Sequence, residues 1–367
     1  MITKKNISCL PSLPAWVEKM LVNFGGLIRL DTTHLENIGP HNKVDCLVVY
    51  EKEYFEHREI LKNALMKKHI ETLVIFNTHV MDADEHILEE IDNLSKDLDI
   101  HMICQGYFAK RYNHIKIHHI EIEEHVISHH FHLLLATKLQ EMRTPEKMFL
   151  LQIVNKDRFR ETVLDGVTSS PDLTNDIIAI DRKGQGASGK LTKKLQDHIK
   201  EEYKDNPNLF SALEGFGNGP PNFPLYEKTF CEVVAETRNI GAWHFTEKTF
   251  RPIAFRVPIV YLGSKEMYDT LHGYGYKLYD YDFYQHWHDQ TTPLNQRVER
   301  LVFFMKHIKQ DEKAREQMQA TADNNFQIFW NQRKLYYYQN WNKIFDQICG
   351  KKNISRVVDS VYSRCNF

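Results

Sequence analysis

"VDCLVVYEKEYFEHREILKNALMKKHIETLVIFNTH", residues 44–79, sets the architecture. Apolar β-type runs at 44–51 and 71–79 enclose "EHREILKNALMKKH" (56–69), whose apolar residues recur at helical spacing. Strand, helix and strand in this rhythm predict βαβ units and a parallel sheet. Ligands of such sheets gather beyond the carboxyl ends of the strands.

The rhythm continues in both directions. "DEHILEEIDNLSKDL" (84–98) reads as a second helix, and "IHMICQGY" (100–107) and "HIKIHHIEI" (114–122) as further strands. "SHHFHLLLATKLQEM" (128–142) predicts a helix that leads to Thr144-Pro145, a domain joint. A second α/β series opens with the strand "KMFLLQIVN" (147–155) and the helix "KDRFRETVLDGV", then "DIIAID" as another strand. The Gly/Pro-rich stretch 206–228 reads as loop, "TFCEVVAET" (229–237) as a strand, and the chain from Gln296 onward as helical. The expected architecture is α/β: two Rossmann-like domains, 1–143 and 144–330, with a helical segment 331–367 packing back on them.

Composition narrows the class. Of 367 residues, 42% are hydrophobic and 26% charged, ordinary for a globular protein with real cores. Lys+Arg at 47 against Asp+Glu at 49 gives a net charge of −2, so no global field draws the chain to nucleic acid. The six cysteines stand singly, and Cys46, Cys104 and Cys231 fall in strand-like runs where a buried, reduced thiol is expected. The N-terminus lacks the apolar run of a signal peptide, and no stretch approaches the ~18–20 apolar residues of a membrane span. These features predict a reduced, soluble, cytoplasmic protein with no membrane partner.

Several motifs are weighed and set aside. "GQGASGK" (184–190) fits the frame of a phosphate-cradling loop, yet Leu191 stands where a Mg²⁺-binding Ser or Thr belongs. His114, His118, His119, His125, His129, His130 and His132 are dense, but no HExxH or matching Cys supports a zinc site. Asp280 and Asp282 in "YDYDFY" read as a turn rather than a metal pair. "RKLYYYQNWNK" (333–343) reads as a core-facing aromatic stripe with solvated bases. No metal is expected.

The chemistry gathers in "HFTEKTFRPIAFRVPIVYLG" (244–263). Thr246 is a sound N-cap, and Glu247 and Lys248 open the helix that follows it. Such a terminus offers free N–H groups and a partial positive charge, a seat for phosphate. Lys248 and Arg251 add full charges, Glu247 suits a ribose diol, and Glu236 closes the strand just before.

This block and "LHGYGYKLYDYDF" after it resemble the donor-binding region of fucosyltransferase-like glycosyltransferases and their viral and bacterial relatives. "LLQIVNKDRFRETVL" (150–164) resembles that family's strand–Asn–Arg–helix block, with Arg160 the best match to its phosphate-contacting Arg and Arg158 the second. "YEKTFCEVVAET" (226–237) is similar to the strand that ends in an acid. The resemblance spans roughly 147–300. It implies a GT-B fold, with a nucleotide-diphosphate sugar as co-substrate on the C-terminal domain and the acceptor on the N-terminal one. Arg160 and Lys248 would hold the diphosphate and Glu247 the ribose, without metal or other cofactor. It also implies inversion, with an N-domain carboxylate as general base.

Glu51, Glu53 and Asp82 are the candidate bases, with Asp84 and Asp31 behind them. The acceptor is expected to be a carbohydrate. A hydroxymethylated base of phage DNA is the alternative acceptor, a non-catalytic nucleotide-sugar or glycan-binding protein an alternative of another class, and a nucleotide hydrolase using 184–190 the remotest reading.

Overall fold

Near-continuous apolar runs such as "CLVV" and "LVIF" suit strands covered on both faces, and they form two all-parallel sheets. The computed structural model describes residues 7–10, 27–30, 35–77, 85–105, 107, 111–121, 140–141, 143–153, 158–181, 223–236, 245–279 and 292–349. Two units divide the chain: Met1–Ile122 with Leu335–Phe367, and Glu123–Lys334.

In the first unit the described elements run β1 (Ile7–Cys9), β2 (Leu27–Arg29), β3 (Val44–Tyr50), α1 (Glu51–Glu56), α2 (Arg58–Met66), β4 (Ile70–Asn77), α3 (Glu85–Leu94), β5 (Asp99–Cys104) and β6 (Lys116–His119). The strand order is β2-β1-β3-β4-β5-β6. Succession reverses between β1 and β3, which makes that gap the switch point where ligands of doubly wound sheets sit. Leu47, Val49, Leu73, Ile75, Ile100 and Met102 bury one face against Leu61 and Leu65 of α2. That helix stops at Met66, short of the expected His69, because Lys68 turns left-handed at φ 56°. The His69 N–H then reaches the Ala64 carbonyl and the Lys68 N–H that of Leu65, satisfying orphan carbonyls while the chain swings into β4.

The second unit adds β7 (Lys147–Ile153), α4 (Arg158–Thr168), β8 (Ile177–Asp181), α5 (Phe223–Lys228), β9 (Thr229–Ala235), α6 (Glu247–Ala254), β10 (Ile259–Leu262), α7 (Lys265–Gly273), α8 (Leu294–Gln310) and α9 (Glu312–Ile328). A π-helical turn, Phe329–Arg333, then leads into α10 (Lys334–Cys349). The sheet order is β10-β9-β7-β8, with its own switch point between β7 and β9. Gly166 lets α8 close on α4: a Cβ there would lie 2.2 Å from Val298 Cγ1.

The structure departs from the sequence reading at further places. β1 went unrecognised, since three residues are too few to show a period. Helix α5 lies inside the stretch read as loop, where Pro224 takes an early helical position that needs no N–H. The units divide after Ile122 rather than after Arg143. Arg143 belongs with the second sheet, where its guanidinium donates to the carbonyls of Tyr226 (3.2 Å), Thr229 (3.0 Å) and Phe230. Gln140 likewise donates to the Phe255 carbonyl at 2.6 Å. From Leu335 the C-terminal segment belongs to the first unit, where Trp341 stacks on Phe76 at 6.1 Å and on Phe345 at 5.4 Å. No helix among the described residues is long and apolar enough to cross a membrane. Cys9, Cys46, Cys104 and Cys231 are buried and form no disulfide among the described residues.

Candidate functional site

Four of the residues singled out in the sequence converge at the carboxyl edge of the second sheet. Glu236 follows β9 and is fully buried. Its carboxylate accepts the Thr246 N–H at 3.0 Å, the Thr246 hydroxyl at 2.9 Å and the Thr249 hydroxyl. The Thr246 oxygen in turn accepts the Lys248 N–H at 3.3 Å, which caps α6. An eight-residue helix is thus pinned by its first turn to the end of the neighbouring strand. Phe245 and Phe250 close edge to face beneath the turn, centroids 5.5 Å apart.

Arg160 is only 1% exposed, and its Nε donates to the Ala235 carbonyl at 3.3 Å. It arises from the helix after β7 and reaches the end of β9, so it lies at the switch point between those strands. Lys248, 8% exposed, stands close enough to Glu236 for its charge to act there. Burial pushes the Glu236 carboxyl above its ordinary range, while Lys248 and the three hydrogen bonds pull it down. All three bonds donate to Glu236, which favours the carboxylate form. Buried cations beside a helix N-terminus have the parts to hold an anion.

The remaining candidates fall into place around this group. Glu236, expected with the donor-binding group, is enclosed and braces the turn. Arg158, the first residue of α4, is exposed, and Arg251 is half-buried one helical turn beyond Lys248. Glu247 is the first residue of α6, and its side chain lies outside the described residues.

Sequence reasoning missed Arg297. This α8 side chain is 4% exposed, donates through Nη2 to the Gly263 carbonyl at 3.1 Å, and lies 5.8 Å above the Phe159 ring. Its helix carries no motif. At its partner Gly263 a Cβ would lie 2.7 Å from the Tyr261 ring.

At the carboxyl edge of the first sheet the structure separates the candidate bases. Glu53 is buried and accepts the Tyr50 N–H at 3.1 Å, so it caps α1. Glu51 follows β3 directly, beside the switch point, and its Oε2 is buried with no hydrogen-bond partner among the described residues. Burial raises its carboxyl to about 7. Farther along the edge Tyr107 stacks on His119 at 4.5 Å and donates to Glu121 at 3.0 Å.

Asp82, Asp84, Asp31, the 184–190 loop, Asp280, Asp282, His125, His129, His130 and His132 lie outside the described residues. Among the described residues no three His, Cys, Asp or Glu side chains converge as metal ligands would. The fold and the site define a parallel α/β protein with buried cations at a switch point. Neither a protein-family model nor a curated protein matches the chain.

Proposed function

We propose that this protein is a glycosyltransferase of the GT-B class, moving a sugar from a nucleotide-diphosphate sugar to an acceptor hydroxyl with inversion and without metal. The observation that carries this reading is the pair of buried cations, Arg160 and Lys248, at a switch point beside the capped start of α6. As the bond from the anomeric carbon to the diphosphate oxygen breaks, its electron pair passes to the leaving diphosphate. Arg160, Lys248 and the α6 N–H groups stabilise that charge in the place of a divalent ion. Glu247 holds the ribose.

The acceptor hydroxyl attacks the anomeric carbon from the opposite face and gives up its proton to a carboxylate. Glu51 is the base we assign, because its Oε2 has no hydrogen-bond partner among the described residues and burial raises its carboxyl to about 7. A carbohydrate acceptor in the cytoplasm fits a chain of net charge −2 better than duplex DNA does.

Thermal unfolding against UDP-, GDP-, ADP- and CMP-linked sugars, for the wild type and Glu247→Ala, tests the donor site. A ligand at 100 times its Kd stabilises by ~2.7 kcal/mol. One nucleotide that shifts the wild type and not the variant is the expected result. No shift from any of them would overturn the reading, whereas donor binding with no turnover on any acceptor would make the protein a binding module.

A further inference from the structure

We propose that the second unit carries a further ligand site, a cavity at the amino edge of its sheet that takes a single aromatic ring bearing one anionic group. The cavity has a volume of about 210 Å³ and is lined by Tyr268, His272, Tyr276, Lys277 and Leu278. Helix α7 leaves β10 at the carboxyl edge and runs back along the sheet, so its last turn, with His272, stands at the opposite edge from Arg160 and Lys248. Lys277 fixes the placement, because it also borders a void of about 10 Å³ with Val257 and Ile259 at the start of β10.

The walls are set before any ligand arrives. Tyr268 and Tyr276 are 3% and 1% exposed. The first meets Tyr261 edge to face at 6.3 Å, and the second packs on Phe250 at 6.2 Å. The chain between them turns at Gly275, whose φ of 92° a side chain would resist. The N–H groups of Tyr274, Gly275 and Tyr276 close on the carbonyls of Thr270, His272 and Leu271 at 2.9, 2.9 and 3.0 Å, so the end of α7 is capped from within. Asn325 then clamps the Lys277 main chain, accepting its N–H at 2.8 Å and donating to its carbonyl at 2.6 Å. These groups are engaged with one another, and what they leave between them is space.

Size and lining select the ligand. A cavity of about 150 Å³ holds a benzene ring, whereas drug-sized ligands need about 300–1,000 Å³. This one therefore takes one ring with a small substituent. Tyr268, Tyr276 and Leu278 offer ring and aliphatic carbon, against which an aromatic body packs edge to face or offset. The two exposed lining residues, His272 and Lys277, carry polar tips that can donate. No acid lines the cavity among the described residues, and Asp269, one turn before His272, is paired with Lys265. The ring lies inward, and its carboxylate or phosphate lies outward beside Lys277 and His272.

Ligand-observed NMR and titration calorimetry of the full chain with benzoate, phenyl phosphate, benzyl alcohol and acetate test this site. Benzoate or phenyl phosphate should bind with a Kd of about 1 mM or below, benzyl alcohol more weakly and acetate not at all. Lys277→Met should weaken the anionic rings about threefold to fivefold, as loss of an exposed charge contact does, and leave benzyl alcohol unchanged. Leu278→Trp, which fills the cavity, should abolish binding of every ring. Thermal unfolding without ligand checks that the variants fold, and Lys277→Met, at an exposed position, decides the matter should Leu278→Trp not fold. No binding of either anionic ring, binding unchanged in both variants, or benzyl alcohol as tight as benzoate overturns the site. Competition with UDP, GDP and ADP separates it from the donor site: displacement of the ring by any of them overturns this inference and leaves the proposed function standing. A chain that binds the rings and no nucleotide keeps this site and loses the donor site.

Discussion

Glu236 and Thr246, ten residues apart, are joined twice: the carboxylate takes the threonine N–H at 3.0 Å and its hydroxyl at 2.9 Å. The same hydroxyl oxygen accepts the Lys248 N–H at 3.3 Å. One side chain thus both donates and accepts, fixing where α6 begins and how it meets β9.

Thr246→Val keeps the shape and removes both functions of the hydroxyl. It should destabilise the protein by about 2–3 kcal/mol, combining a lost cap with a lost buried bond. Thr246→Ser should cost less than about 1 kcal/mol. Urea unfolding of the two variants checks this, and equal stabilities would remove the cap from the account.

Lys248→Met should weaken binding of the diphosphate nucleotide by about tenfold or more, because the charged head is lost and the apolar stem kept. Titration calorimetry measures it. Unchanged affinity would show that Lys248 serves Glu236 and not a ligand.

Glu51 makes two pH-dependent predictions. As the base it must be ionised, so transfer should rise as pH passes through about 7 and be lost in Glu51→Gln, with donor binding kept. For stability the sign is opposite to that of a paired acid. The folded state holds this proton up to about 7 and the unfolded chain only to about 4.5, so stability falls as pH rises between them. Glu51→Gln should therefore melt higher than the wild type at pH 8 and no higher at pH 4.5. Melting curves at the two pH values decide it.

His118 should dominate the acid side. His101 Nδ1 and His118 Nε2 are 2.8 Å apart, and His101 Nε2 lies 3.2 Å from Asp99. With Asp99 accepting from His101, His118 must donate to it while neutral. Burial first, then the charges of His101, His119 and Lys116, lower His118 to about 4. Its contribution is present above about 6.5 and lost as pH falls toward 4. His118→Gln, whose amide can still donate, should flatten the melting temperature over that window. An unchanged slope would place the acid sensitivity elsewhere.

Gly166→Ala should cost about 1–3 kcal/mol, since the new Cβ would press on the stiff Val298 side chain. Val298→Ala in the same chain should recover most of that loss. Denaturant midpoints of the two single variants and the double variant test the coupling; simple additivity would separate α4 from α8.

Much of this protein was legible in the chain. The runs at 44–51, 71–79, 147–155 and 229–237 become β3, β4, β7 and β9 because parallel strands buried on both faces carry a continuous apolar signal. Thr246 is a cap in the sequence and in the structure, since capping depends on residues two or three positions apart. Trp341, read as part of a core stripe, is buried on Phe76. All of these are local properties, set by periodicity and near neighbours.

What the tertiary structure decided was which like residues acquire unlike roles. Glu51 and Glu53 look equivalent in "YEKEY", yet Glu53 caps a helix and Glu51 keeps a buried oxygen with no hydrogen-bond partner among the described residues. Glu236 reads only as an acid at a strand end, and it braces α6 because the chain returns ten residues later to surround it with donors. Arg297 carries no local mark at all, and its place follows from the packing of α8 on α4 and the register of β9 with β10. Burial and bonding partners come from contacts between distant segments, so the sequence by itself determined the elements and their caps. The switch points, and the charges enclosed at them, were settled only by the order in which the strands paired.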